Sequence, residues 1–229
     1  SFEEAKKQSI IGEAKFLRAF FYFDLVQYFG GVPLYINEVV SPEKASLSRA
    51  TVDEVYNQII ADATDAIDKL AASTAFPQSG KATKGSAKTL LANVYIVQKK
   101  YALAEALLRD VTQMGYQLLP DFASVYDLNN KNSRESVFEI QFMQGTTAGQ
   151  QSNFIYWFIP RVANSAVITG VNTNTNTGDF GGWNVPTQDL ISSFETGDKR
   201  LDASVAVAEG TVNASGVFVP ESVKSIVGY

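Results

Sequence analysis

The chain contains neither histidine nor cysteine, so no imidazole base and no thiolate is available for chemistry. Ser-His-Asp triads, cysteine nucleophiles, disulfides and Cys/His zinc sites are thereby excluded. The carboxylates remain. Glu139, Asp179, Asp189 and Glu195 are the candidates for acid–base work. Hydrolysis of a glycosidic bond needs two such groups about 5–10 Å apart across a cleft, and these four sit in no recognisable arrangement along the sequence. Asp198-Lys199-Arg200 can be read as a charge relay, but a turn with local ion pairing is the simpler reading. We therefore expect no catalytic residues. A second group of side chains holds rather than transforms: Tyr156, Trp157, Phe180 and Trp183 lie beside Gln150, Asn153, Asp179 and Asn184. Ring faces accept apolar surfaces, and amides and carboxylates accept or donate hydrogen bonds. The competing reading is that these rings fill a core. It applies best to Phe154 and Phe158, whereas Trp157 and Trp183 border polar, glycine-rich loops.

Such residues need a scaffold, and the composition allows one. At 229 residues, 45% hydrophobic and 19% charged, the chain is long and apolar enough for a substantial core. Residues 1–115 carry 13 basic and 13 acidic groups, while residues 116–229 carry 6 and 11, so the whole net charge of −5 lies in the second half. Neither half offers the basic patch that phosphate neutralisation requires, and we expect no nucleic-acid partner. The most apolar stretch, Phe16 to Phe29, is interrupted by Arg18, Asp24 and Gln27, which marks a buried helix rather than a membrane span. Ser1-Phe2-Glu3-Glu4 already begins an amphipathic pattern instead of a signal peptide. We expect the native protein to extend beyond both ends of this sequence.

The first half reads as four helices. Ser1-x-x-Glu4 has the form of a capping box, and Ile11, Ala14, Leu17, Phe21, Leu25 and Tyr28 recur at helical spacing until Gly30-Gly31 and Pro33. Phe16, Phe20 and Phe23 widen the apolar surface to most of the circumference, so this helix must pack on several sides. Thr51-x-x-Glu54 opens a second helix with Val52, Val55, Ile59, Ala63, Ile67 and Leu70 inward, and Asp53, Asp62, Asp65 and Asp68 assigned to the solvated face. A third spans about Thr83 to Lys99 and a fourth about Ala102 to Met114. Tyr22, Tyr28 and Tyr95 are expected to be packing residues.

The spacing within these helices is informative. Leu91-Ala92-x-x-Tyr95 and Ala104-x-x-x-Leu108 match the two helices of a tetratricopeptide unit, whose small residues stand twelve positions apart, as Ala92 and Ala104 do. Leu17-Arg18-Ala19-x-x-Tyr22 and Ala63-x-x-x-Ile67 repeat the logic more weakly, with a long insertion between them. Two generic helical hairpins remain the alternative. The predicted fold is mainly α: a tetratricopeptide-like helical scaffold over 1–115, and a loop-rich region with short strands and helices over 116–229. In the latter, Val137 to Phe142 alternates as a strand with Phe138, Ile140 and Phe142 on one face. Asn172 to Thr177 is too polar to pack, Thr187 caps a short helix from Gln188 to Phe194, and residues 203–221 form short strands and turns.

Several blocks together resemble one family. Glu13-Ala14-Lys15-Phe16-Leu17-Arg18-Ala19-Phe20-Phe21-Tyr22-Phe23, followed by Tyr28-Phe29-Gly30-Gly31-Val32-Pro33-Leu34, is similar to the hallmark of the RagB/SusD proteins. Thr51 to Tyr56, Lys84 to Lys88 with Leu91-Ala92, Ser136 to Gln141, and Asn184 to Leu190 with Gly197 to Leu201 recur in the family's order. The resemblance covers nearly the whole chain as part of a single SusD-like domain.

The resemblance implies a non-catalytic glycan-binding lipoprotein at the outer-membrane surface of a Gram-negative bacterium. It would deliver oligosaccharide of starch type or another glycan to a SusC-like TonB-dependent transporter, and its lipid anchor would lie outside this chain. The helical scaffold would then face the transporter, and the acidic, loop-rich half would carry the sugar. On that footing Trp183, Trp157, Tyr156, Asn184, Phe180 and Asp179 are the expected ligand-binding residues. Some members hold calcium, but no acidic loop here singles out a site, so no cofactor is expected. A protein-interaction adaptor of tetratricopeptide type, without sugar binding, is the alternative.

Overall fold

The computed structural model describes residues 3–73, 75–143, 158, 162, 166–169 and 183–224. Its backbone contacts divide the chain into two units, one made of residues 1–120 with 127–140 and the other of residues 121–126 with 141–229. The helical unit thus reaches past Gly115 and includes a later return segment. The fold is mainly α, with a single two-stranded sheet among the described residues.

Helix α1 spans Glu4–Phe29. Its N-cap is Glu3, which makes no side-chain cap bond, so the helix does not start on the expected Ser1 box. Ser1 itself lies outside the described residues. At the other end Gly30 takes φ 68°, and its N–H donates to the Val26 carbonyl. A side chain at Gly31 would have its Cβ 2.1 Å from the Ala50 carbonyl oxygen, so the returning connection passes too close for anything but glycine. That connection also supplies the cap. The Arg49 guanidinium donates from Nε to the Gly31 carbonyl at 2.7 Å and from Nη2 to the Phe29 carbonyl at 2.5 Å. A cation on the last carbonyls of a helix satisfies acceptors that have no intrahelical partner.

Helix α2, Val52–Lys69, opens on the expected capping box. Thr51 Oγ1 accepts from the Glu54 N–H, and Glu54 Oε2 accepts from the Thr51 N–H at 2.8 Å. This backbone bond, reinforced by the Thr51 hydroxyl, holds the Glu54 carboxyl below its ordinary range. Helix α3, Lys84–Val97, carries a second box built from Thr83 and Ser86, and α4 follows as Tyr101–Thr112. Successive helices pack as antiparallel pairs around one core. Phe16, Ala19, Tyr22, Phe23 and Val26 of α1 meet Val55, Ile59, Ala63 and Ala66 of α2, and Ala87, Leu90, Leu91 and Val94 of α3 close it. Ala19, Ala63, Ala92 and Ala104 are all buried, as close backbone crossings require.

Four expectations need correction. Asp62 is only 2% exposed, not part of a solvated face. Its two oxygens accept from Arg18 Nε and Nη2, both at 2.7 Å, and Arg18 Nη1 also donates to the Ile36 carbonyl at 3.1 Å. A bidentate, otherwise apolar-surrounded pair of this kind needs every lone pair engaged. Tyr28 is 80% exposed rather than packed, and Val52 is exposed at the start of α2. The Val137 to Phe142 segment forms no strand ladder among the described residues. Phe138 turns into the helical core, 4.9 Å from the Phe16 ring and 5.9 Å from Phe20, while Ile140 and Phe142 are exposed.

In the second unit, β1 (Val207–Val212) and β2 (Phe218–Lys224) form an antiparallel hairpin with Val212 opposite Phe218 and Val207 opposite Lys224. The Asn213 side chain shapes its turn by accepting from the Ser215 and Val217 N–H groups, both at 3.0 Å. The short helix α5, Ala166–Thr169, lies against β2. Helix α6, Gln188–Ser192, is capped as expected by Thr187, whose hydroxyl accepts from the Leu190 N–H at 3.3 Å. Helix α7, Arg200–Ser204, packs on the 3₁₀ turn Phe122–Tyr126. Among the described residues, no helix is long and apolar enough to cross a membrane.

Candidate ligand-binding site

Of the six expected ligand-binding residues, the structure describes Trp183 and Asn184. Tyr156, Trp157, Asp179 and Phe180 lie outside the described residues. Trp183 and Asn184 form a bend just ahead of the Thr187 cap, and both are exposed. The Trp183 side chain is 66% exposed. A tryptophan of that exposure contributes little to a core and presents a flat apolar face to solvent. Asn184 follows directly in the chain, with an amide that offers both donors and an acceptor. The capped helix fixes where the bend ends: Thr187 satisfies an otherwise free N–H at the helix start, which holds the preceding Val185-Pro186 in place.

Arg200 grips Asp198 through Nε at 2.9 Å and Nη2 at 2.5 Å. These side-chain bonds, aided by the Arg200 N–H, hold the Asp198 carboxyl down at about 2. Asp198 is therefore an ionised turn residue at any ordinary pH, as the local ion-pair reading expects. Glu139 spends its oxygens on the Asn132 N–H at 3.2 Å, in the other unit. Asp189 and Glu195 are exposed. Among the described residues no group of three or more acidic, histidine or cysteine side chains is placed to hold a metal ion.

The second unit also contains a cavity of about 280 Å³ lined by Val162, Ile168, Ala206, Ala208, Phe218 and Val223. All six are apolar. Among the described residues its lining offers no side chain that hydrogen-bonds hydroxyl groups.

Comparison with known proteins supplies the family context. The profile of a family described as SusD-like, starch-binding and associating with the outer membrane matches residues 1–96. A SusD-like protein of Formosa agariphila is 29% identical over 92% of this chain and 42% of its own length. These matches support a protein of the SusD/RagB family. A crystal structure of a SusD-like protein from Bacteroides fragilis superposes with a TM-score of 0.68 at 29% identity, over 85% of this chain and 37% of that one. A laminarin-binding SusD-like protein is 32% identical, with a TM-score of 0.64, over 71% of this chain and 39% of its own. The chain therefore spans about two fifths of the length of these SusD-like relatives.

The buried Arg18–Asp62 ion pair of the helical unit escapes a reading that looks for functional charges, although its signal is present in the sequence. Asp62 stands three residues after Ile59 and four before Ala66, on the inward stripe of α2. Its position, not its charge, gives its place away.

Proposed function

We propose that the protein carrying this chain is a non-catalytic binder of oligosaccharides at the outer-membrane surface, which passes its ligand to a SusC-like TonB-dependent transporter. The match to the SusD/RagB family and the 32% identity to a laminarin-binding relative support the ligand class. The observation that carries the reading within this chain is the exposed Trp183 beside Asn184. A pyranose ring has an apolar C–H face and an equatorial belt of hydroxyls. Stacking on the indole covers the first, and the Asn184 amide engages the second. Trp157, Tyr156, Phe180 and Asp179 are assigned to the same ligand. Neither metal nor cofactor has a part in this reading, and the ionised, ion-paired Asp198 has no role as an acid.

The test is affinity electrophoresis and calorimetry of the complete gene product against laminarin, starch and a wider polysaccharide panel. Binding to at least one glycan without release of reducing sugar is expected, weakened at least about tenfold in Trp183→Ala. Co-purification with a TonB-dependent barrel is expected to survive that substitution. Absence of binding to every glycan together with absence of a barrel partner overturns the reading. Retained barrel association without glycan binding would favour an adaptor instead.

A further inference from the structure

The connection between α1 and α2 leaves the helical core and returns to it. Val32, Leu34 and Ala50 pack against the core, and the Ala50 N–H donates to the Val32 carbonyl at 3.1 Å, so the two ends lie together. Between them, every residue from Tyr35 to Arg49 except Ser41 is exposed. A surface loop with closed ends can move as one piece where few bonds tie its middle down.

The ties are few, and α1 supplies them. The Tyr22 hydroxyl accepts from the Tyr35 N–H at 2.7 Å and donates to the Pro33 carbonyl at 3.2 Å. Arg18 Nη1 donates to the Ile36 carbonyl at 3.1 Å. Among the described residues, no hydrogen bond or ion pair joins residues 37–48 to the helices. Their bonds stay within the loop: the Tyr35 hydroxyl donates to the Ala45 carbonyl at 2.5 Å, and the Lys44 N–H to the Ser41 carbonyl at 3.1 Å. Asp62 sets the direction of Arg18. Its two oxygens hold Nε and Nη2, both at 2.7 Å, which leaves Nη1 for Ile36. A buried ion pair, costly in itself, thus places a donor under the exposed loop. Tyr22 stands one helical turn beyond Arg18, so the two side chains grip adjacent backbone groups of one segment.

We propose that residues 35–48 form a latched arm, which Arg18 and Tyr22 hold closed and which opens as one unit while the helical core stays folded. The hinges are its two ends. Leu34 remains packed on the core, and Arg49 remains bound to the Phe29 and Gly31 carbonyls. Opening costs little apolar burial, because Ile36, Val39 and Val40 are already exposed in the closed form. Water takes over the freed Tyr35 N–H and Ile36 carbonyl, so neither is left unsatisfied. The Tyr35–Ala45 bond travels with the arm and keeps it folded on itself. The device is independent of glycan binding at Trp183, and a protein that binds no sugar leaves it standing.

Hydrogen exchange of the complete gene product, read residue by residue over a series of low urea concentrations, tests the latch. The Tyr35 amide is expected to exchange at least about a hundredfold faster than the Phe23 and Val26 amides of α1, yet slower than in an unstructured peptide. Its rate is expected to stay unchanged by urea, because a local opening exposes little new surface. Arg18→Lys keeps a cation for Asp62 but lacks the fork that also reaches Ile36. Tyr22→Phe keeps the ring and removes the hydroxyl. Each is expected to speed Tyr35 exchange about fivefold, the loss of one hydrogen bond, without adding urea dependence. Two variants guard against one that misfolds, and retention of the thermal transition selects the usable one. Tyr35 exchange that matches α1 in rate and urea dependence overturns the proposal, since the arm then opens only with the core. Exchange as fast as in an unstructured peptide overturns it too, since nothing then latches the arm. An unchanged Tyr35 rate in the folded variants overturns it as well.

Discussion

Two aromatic regions of this protein stand in opposite environments. Phe16 is 1% exposed, stacked with Phe20 on the same helix and met edge-on by Phe138, so it joins two chain segments far apart in sequence. Trp183 is 66% exposed on a bend ahead of a five-residue helix. The first ring is held by its neighbours on all sides, so its energy goes into folding. The second keeps its face towards solvent, where a ligand can take it. Aromatic content alone does not distinguish scaffold from site. What distinguishes these two is placement, Phe16 on the inward stripe of a packed helix and Trp183 on a bend beside glycine, asparagine and proline.

The comparison breaks most visibly at Phe16. Phe16→Ala empties the centre of the helical core, and we expect a loss of about 3–5 kcal/mol in denaturant melts. Glycan binding per folded molecule is expected to stay unchanged. A loss below about 1 kcal/mol would mean that the ring is not a keystone of the core.

Arg18→Ala is expected to have the next largest effect. It leaves the Asp62 carboxylate buried with no cation, and removing one partner of such a pair costs about 3 kcal/mol. Arg18→Ala with Asp62→Ala should recover part of that loss, since the second change removes the stranded charge. A double variant as unstable as the single one would show that Arg18 acts through packing of its stem instead.

A smaller effect follows from pH. Lys15 and Lys69 donate to Asp65, and these bonds hold its carboxyl below the ordinary 3.8. A carboxyl depressed in the folded state adds stability at pH values above 3.8 and loses it as pH falls through the lower folded value. Urea midpoints of the protein should therefore decline on acidification below about pH 4, and Asp65→Asn should flatten that decline. An unchanged slope in the variant would remove Asp65 from the account.

The helices are legible in the sequence because three local signals agree: period, caps and terminating glycines. Thr51 with Glu54, Gly30 and the Ala92–Ala104 spacing each declare their structure within a dozen residues. What sequence misleads on depends on partners distant in the chain. Asp62 meets Arg18 across 44 residues, and its charge argues for solvent while its inward position argues for the core. Tyr28 continues the helical stripe, yet its ring stays largely in solvent. Phe138 alternates like a strand residue, but the Phe16–Phe20 recess captures it singly. The candidate binding residues are chosen by type, and no local signal fixes their placement. Loop positions follow no period, and of the six expected residues Trp183 and Asn184 are the two that the structure describes.

The smallest change in stability is expected at Trp183, and it is the one that most sharpens the comparison. A side chain so exposed supports little packing, so Trp183→Ala should change unfolding stability by less than about 0.5 kcal/mol. Its effect on glycan binding should be at least about tenfold, because the stacked face is lost. Trp183→Phe keeps a flat ring and should retain most of the affinity, whereas Asn184→Ala should weaken binding while leaving the ring in place. The pair of measurements separates the two uses of an aromatic. A scaffold ring lowers stability when removed and leaves intrinsic affinity alone, and a binding ring does the reverse. If Trp183→Ala destabilised the protein as Phe16→Ala does, the bend would be a packing element and the site would have to be sought elsewhere in the second unit.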